Sequence, residues 1–205
     1  MTPDLLQKLH QQGFNRIPVV REVMADLDTP LSTYLKLANQ PYTYLLESVQ
    51  GGEKWGRYSI IGLHCRQILK VSGSTTTISI DGVVTEEHHC KDPLKFVEAF
   101  QDRFKVPELA GMPRFNGGLV GYFGYDTIRY IESKLAGSCP PDPLATPDIL
   151  LMVSEDLVVF DNLSGRLLLI HHINPGEGQS LDDAEKKLDL LQEQLRNPVP
   201  ANNLN

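Results

Sequence analysis

The sequence predicts an α+β fold, with largely antiparallel β-sheets packed in a sandwich-like arrangement and flanking helices. Three observations point there. Segments of period-two or β-branched character outnumber segments of helical period. The strands are joined by hairpin signals, Asp81-Gly82 and Asp161-Asn162-Leu163-Ser164-Gly165, rather than by helical crossovers. Four amphipathic stretches each carry one apolar stripe, which suits helices lying on the outside of a sheet. With 205 residues the chain can bury about 70% of its unfolded surface, enough for a core without staples.

The elements follow in order. Thr2-Pro3-Asp4 caps and opens a short helix through Leu5, Leu6 and Leu9, stopped by Gly13. Ile17 to Val23 is β-branched with Pro18 near its start, the pattern of an edge or entering strand. Thr29-Pro30 opens a second helix whose apolar positions, Leu31, Tyr34, Leu35 and Ala38, step by three and four. Strands are then predicted over Tyr42–Val49, Tyr58–Leu63, Cys65–Val71, Thr76–Ile80 and Val83–Glu87, the last two joined at Asp81-Gly82. Asp92-Pro93 starts a helix with a Leu94, Val97, Phe100, Phe104 stripe. Phe115 to Phe123 is Gly-rich and strand-like. Ile149 to Phe160 and Arg166 to Ile173 read as two long apolar strands of one hairpin. The last helix runs from Ser180, with Leu181, Ala184, Leu188, Leu191 and Leu195 on one face and Asp183 completing a capping box. Residues 1–196 show no internal boundary, and the Pro- and Asn-rich stretch 197–205 reads as a linker or tail.

Charge narrows the partners. Twenty-six acidic against 19 basic residues give −7, with no Lys/Arg cluster, so nucleic acid and anionic membrane surfaces are poor partners. No apolar stretch approaches the ~20 residues that span a bilayer, and the polar N-terminus is no signal peptide. Three scattered cysteines, Cys65, Cys90 and Cys139, suit free thiols in a reducing cytoplasm.

The chemical motifs are mostly negative. There is no phosphate-binding loop, no nucleophile elbow and no zinc-ligand spacing. His88-His89 and His171-His172 point to opposite faces of their strands, so neither pair makes a two-point metal ligand set. Gly117, Gly118, Gly121 and Gly124 lack the order of a dinucleotide turn; they read as glycines that admit a close backbone neighbour or a bulge. The stretch from Tyr44 to Ser59 is the most unusual and holds the only tryptophan, Trp55. Two readings of it stand. Glu47 beside Ser48 at a strand end can hold a cationic amine, with an adjoining aromatic and apolar wall for a ring; this fits an aromatic amino acid. Alternatively, Glu47 pairs with Arg57 across a hairpin and Trp55 simply packs.

The run Leu45-Leu46-Glu47-Ser48 through Trp55-Gly56-Arg57-Tyr58-Ser59-Ile60-Ile61-Gly62 resembles the N-terminal region of the anthranilate synthase component I family, among the chorismate-utilising enzymes. Phe115-Asn116-Gly117-Gly118-Leu119-Val120-Gly121-Tyr122-Phe123-Gly124-Tyr125-Asp126 and Pro147-Asp148-Ile149-Leu150-Leu151-Met152 resemble the same family, as does nearly the whole chain from Arg16 onward. The resemblance implies a regulatory role: Leu46, Glu47, Ser48 and Tyr58 would bind L-tryptophan as feedback inhibitor. It also implies partners, namely a C-terminal chorismate-binding domain of the same polypeptide and a glutamine amidotransferase subunit (component II). The full-length reaction it implies is chorismate plus ammonia giving anthranilate and pyruvate, with Mg²⁺ as cofactor. The family's catalytic and Mg²⁺-binding residues lie in that C-terminal domain, so none is assigned here and the chain alone is expected to be inactive. Two alternatives accompany this reading: the related aminodeoxychorismate synthase component I, and an interaction domain that docks a glutaminase subunit without binding a ligand.

Overall fold

The computed structural model describes residues 1–24, 28–49, 55–135 and 142–200. The chain forms two compact units, one of Met1–Cys65, Lys105–Gly118 and Ser154–Asn205, the other of Arg66–Phe104 and Leu119–Val153.

The first unit carries a five-stranded sheet: β1 (Ile17–Met24), β2 (Tyr44–Val49), β3 (Trp55–Gly62), β9 (Asp156–Asp161) and β10 (Arg166–Ile173), in the order β1-β10-β9-β3-β2. Every adjacent pair is antiparallel. Pro18 lies on β1, an edge strand, where a missing N–H is tolerated. One face of this sheet is covered by α1 (Pro3–Gln11), α2 (Pro30–Leu37) and α4 (Leu181–Arg196).

Each helix starts where its cap residues dictate. Thr2 accepts from the Leu5 N–H, Thr29 and Ser32 form a reciprocal box, and Ser180 and Asp183 form another. Ala184, Leu188, Leu191 and Leu195 of α4 are buried against Val19, Leu167, Leu169 and Ile173. At about 1.5–3 kcal/mol for each fully buried large side chain, that stripe is the main attachment of the helix. Arg21 ties the exposed flank to Glu185 at 2.5 Å and to Asp189. On α2 the buried residues are Thr33, Leu37 and Ala38, while Leu31, predicted on the apolar face, is exposed. It occupies the first turn beside the cap, on the solvent side of the stripe.

The second unit carries β4 (Gln67–Ser72), β5 (Thr75–Ile80), β6 (Val83–His89), β7 (Gly118–Phe123, whose first residue belongs to the other unit) and β8 (Ile149–Ser154, whose last residue does too), in the order β6-β5-β4-β8-β7. The β5–β6 turn has both Asp81 and Gly82 at positive φ, 51° and 81°, the geometry that an Asp-Gly dipeptide favours. Phe100 and Val97 of α3 (Pro93–Gln101) close a core of Leu69, Val71, Ile78, Ile149 and Leu151. Six residues after β7, Tyr125–Tyr130, form a 3₁₀ helix that the sequence pattern does not predict.

The α+β class and its antiparallel sheets are thus as the sequence predicts. One strand differs. The apolar run Ile149–Phe160 is two strands, β8 and β9, in different sheets. The interruption is Ser154-Glu155-Asp156, three polar residues whose side chains are committed to partners described below. Among the described residues no helix is long and apolar enough to cross a membrane.

Candidate functional site

The tryptophan-site residues expected from sequence lie on β2 and β3. β2 is the outer strand of its sheet, so among the described residues only β3 pairs with its backbone. The register sets Leu46 opposite Ile60 and Glu47 opposite Ser59, then slips between Glu47 and Val49. Ser48 therefore sits at an irregularity, where pairing is locally interrupted.

Alternation divides these residues between the two faces. Leu46 and Tyr58 share a face with Ile60, beside the cluster of Leu157, Val159, Ile170, Met112 and Phe115. Glu47 shares the helix-covered face with Ser59 and Leu45. Leu46 remains 49% exposed and Glu47 is exposed, as an outer strand allows.

Arg57 does not pair with Glu47, as one sequence reading had it. It binds Asp161 on β9, with Nη2 to Oδ2 at 3.0 Å, and its guanidinium lies 4.8 Å from the Tyr58 ring centroid. That partner lies on β9, the strand next to β3 on the side away from β2, so this pairing does not occupy the Glu47 edge. Asp161 is held below its ordinary range, first by the Arg57 hydrogen bond. Ser59 is buried, and its Oγ accepts from Asn162 Nδ2 at 3.3 Å. Trp55, Gly51-Gly52 and Lys54 belong to the same sequence motif; residues 50–54 lie outside the described residues.

A second polar group, which no sequence motif marks, gathers where β8 gives way to β9. The Tyr44 hydroxyl and Ser154 Oγ share a buried hydrogen bond of 2.7 Å. Glu155 pairs with Arg16, and Asp156 with His171, its cross-strand neighbour, and with Lys187 Nζ at 3.5 Å. Burial raises Glu155 despite Arg16. Burial would raise Asp156 as well, but His171 and Lys187 outweigh it and hold the carboxyl low. The Cys65 thiol is pushed up to about 12 by burial, which makes it a packing residue rather than a nucleophile. The one sequence signal for this group was the polar triplet interrupting an apolar run.

His172 is also buried in this group, 4% exposed. Its Nδ1 faces the Glu155 carbonyl at 2.9 Å; a carbonyl only accepts, so Nδ1 carries the proton. Nε2 is buried with no hydrogen-bond partner among the described residues. A Cβ on Gly117 would lie 2.7 Å from the ring, so glycine there admits the close approach that sequence predicted. Burial, the largest influence, lowers the His172 pKa below 6.5. The unfolded chain therefore takes up this proton first, and stability falls as pH drops below 6.5. Urea melts between pH 7 and 5 are expected to show a loss of up to about 1.4 kcal/mol per pH unit, which His172→Gln flattens. Asp156, with its lowered pKa, loses its contribution below the ordinary Asp value, outside that window, whereas Glu155, raised by burial, favours the folded state as pH falls toward 5, so the His172 share is the difference between the parent and His172→Gln.

No protein-family model matches the chain. Individual relatives do. The chain is 57% identical to anthranilate synthase component 1 of Pseudomonas putida over 192 residues, 94% of this chain and 39% of the relative. It is 54% identical to anthranilate synthase component 1 of Neisseria meningitidis serogroup C, over 90% of this chain and 38% of the relative. Among solved structures, anthranilate synthase component I from Streptococcus pneumoniae TIGR4 superposes with a TM-score of 0.58 at 27% identity, over 87% of this chain and 37% of that one. The chain spans about two-fifths of the length of the curated relatives it matches. Over the matched stretch, nearly the whole of this chain, it is similar to proteins named anthranilate synthase component 1.

Proposed function

We propose that this chain is the N-terminal, tryptophan-sensing region of an anthranilate synthase component I, a cytoplasmic enzyme of tryptophan biosynthesis. The complete polypeptide would convert chorismate and ammonia to anthranilate and pyruvate, the ammonia coming from glutamine through a component II subunit. The observation that carries the reading is the placement of Leu46, Glu47 and Ser48 on an open outer strand, with the Glu47 carboxylate exposed and Tyr58 on the neighbouring strand. An α-ammonium would bind Glu47 by charge-assisted hydrogen bonds, while Leu46 and Tyr58 would offer apolar surface to an indole.

Mg²⁺ would act in the remaining part of the polypeptide by binding the substrate carboxylate. Among the described residues no group of three or more His, Cys, Asp or Glu side chains gathers to hold a metal. The role left to this chain is to shift the enzyme between two states by binding one of them more tightly, a coupling of about 1–3 kcal/mol in typical cases.

The test is calorimetry of L-tryptophan against the 205-residue chain and against the complete polypeptide, with anthranilate fluorescence as the activity readout. The chain alone is expected to form no anthranilate from chorismate and ammonia. It is expected to bind tryptophan only weakly, because the rest of the polypeptide completes the pocket. Micromolar binding by the chain alone, or chorismate turnover by it, would contradict this account.

A further inference from the structure

The surface of the second unit carries an apolar stripe that nothing in the described structure covers. It runs from β7 into the 3₁₀ helix that follows. Tyr122 and Phe123 end the strand, and Phe123 is 53% exposed. A 3₁₀ helix repeats every three residues, so Tyr125, Ile128 and Ile131 line one side of it; Tyr125 is 94% and Ile131 66% exposed. Beside them lies a depression of about 530 Å³, lined by Tyr125, Ile128, Leu135 and the Asp126–Arg129 ion pair, whose atoms are 2.8 Å apart.

β7 is also the outer strand of its sheet. Outer strands in soluble proteins are normally protected by charge, proline or a bulge. From Gly118 to Tyr125 this one has no charged residue and no proline. Its exposed strand edge and aromatic stripe together form the kind of surface that is buried in an interface.

We infer that this stripe is the seat of the remainder of the component 1 polypeptide, with the depression receiving one apolar anchor side chain. This inference rests on the family reading above. The choice of occupant follows from two facts. Interfaces this poor in charge are of the permanent kind, since a partner that comes and goes would leave the stripe bare between encounters. The relatives carry more than half of their length outside the stretch matched by this chain, so a permanent, covalently attached occupant exists in the family.

The experiment is hydrogen exchange with mass spectrometry on two proteins: the 205-residue chain, and a chimera in which it replaces the matched stretch of the Pseudomonas putida relative. Peptides covering residues 118–131 are expected to exchange at least tenfold more slowly in the chimera. In the chain alone, an apolar dye should bind, and Tyr125→Ser with Ile131→Ser should remove at least half of its fluorescence enhancement; both positions are exposed, so the fold should tolerate the changes. Four results would overturn the inference: equal exchange in the two proteins, no dye binding by the chain, protection that needs added component II, or protection that grows with concentration of the chain alone. Tryptophan protection over residues 44–60, read in the same chimera, tests the proposed function separately from this surface.

Discussion

Glu47→Ala in the complete enzyme is expected to raise the tryptophan concentration for half-inhibition by a factor of about 30 or more. The reasoning is electrostatic. An ammonium that loses its carboxylate partner loses a charge-assisted hydrogen bond and is left with its desolvation cost, together about 2–5 kcal/mol. Arg57 offers no substitute, because it is a cation and is bound to Asp161. Tyr58→Ala removes apolar surface rather than charge and should weaken inhibition less, by about tenfold, since roughly 1.4 kcal/mol is one decade. Ser48→Phe places a bulky ring at the register irregularity and should abolish inhibition by obstruction. The measurement is anthranilate fluorescence with saturating ammonia, at graded tryptophan. Inhibition that survives both Glu47→Ala and Ser48→Phe would favour the interaction-domain alternative.

The largest expected effect on stability comes from Gly121→Ala. A Cβ at this position would lie 1.9 Å from the Leu150 carbonyl oxygen and 3.0 Å from the Leu151 Cα, both backbone atoms. Backbone cannot rotate away as a side-chain tip can, so β7 and β8 must separate. Overpacking of this kind costs about 3 kcal/mol or more, which corresponds to roughly 6–12 °C in Tm for a chain of this size. Gly124→Ala should cost less, because its Cβ would stop 3.0 Å from the Asp148 carbonyl oxygen. Thermal melts followed by circular dichroism rank the two variants. A Gly121→Ala melt within 1 °C of the parent protein, or about 0.3 kcal/mol, would mean that this strand pair is not packed as described.

Much of the fold was legible because it is written in local rules. Thr2, Thr29, Asp92 and Ser180 are cap residues followed by proline or an apolar stripe, and each begins a helix. Asp81-Gly82 marks its hairpin through the positive φ that such a dipeptide tolerates. The division of Ile149–Phe160 was not legible by hydrophobicity, because both strands are buried and read as one apolar run. Only Ser154-Glu155-Asp156 betrayed the break, and its partners Tyr44, Arg16 and His171 are distant in sequence. Which strands end up at sheet edges is likewise a property of topology. It determines that Leu46 and Glu47 are accessible, although no residue of β2 states it. The residue types proposed for the site, a carboxylate beside apolar positions, are a local feature of the sequence. The division of Leu46 and Tyr58 from Glu47 between two faces required the register.

The most direct test of the central claim is the hydrogen-exchange footprint of L-tryptophan on the complete, inhibitable enzyme. Peptides spanning β2 and β3, residues 44–49 and 55–62, should gain protection at tryptophan concentrations that inhibit, and Glu47→Ala should erase that gain. Protection confined to other segments, with β2 and β3 unchanged while anthranilate formation is fully inhibited, would contradict the assignment of this chain as the tryptophan sensor.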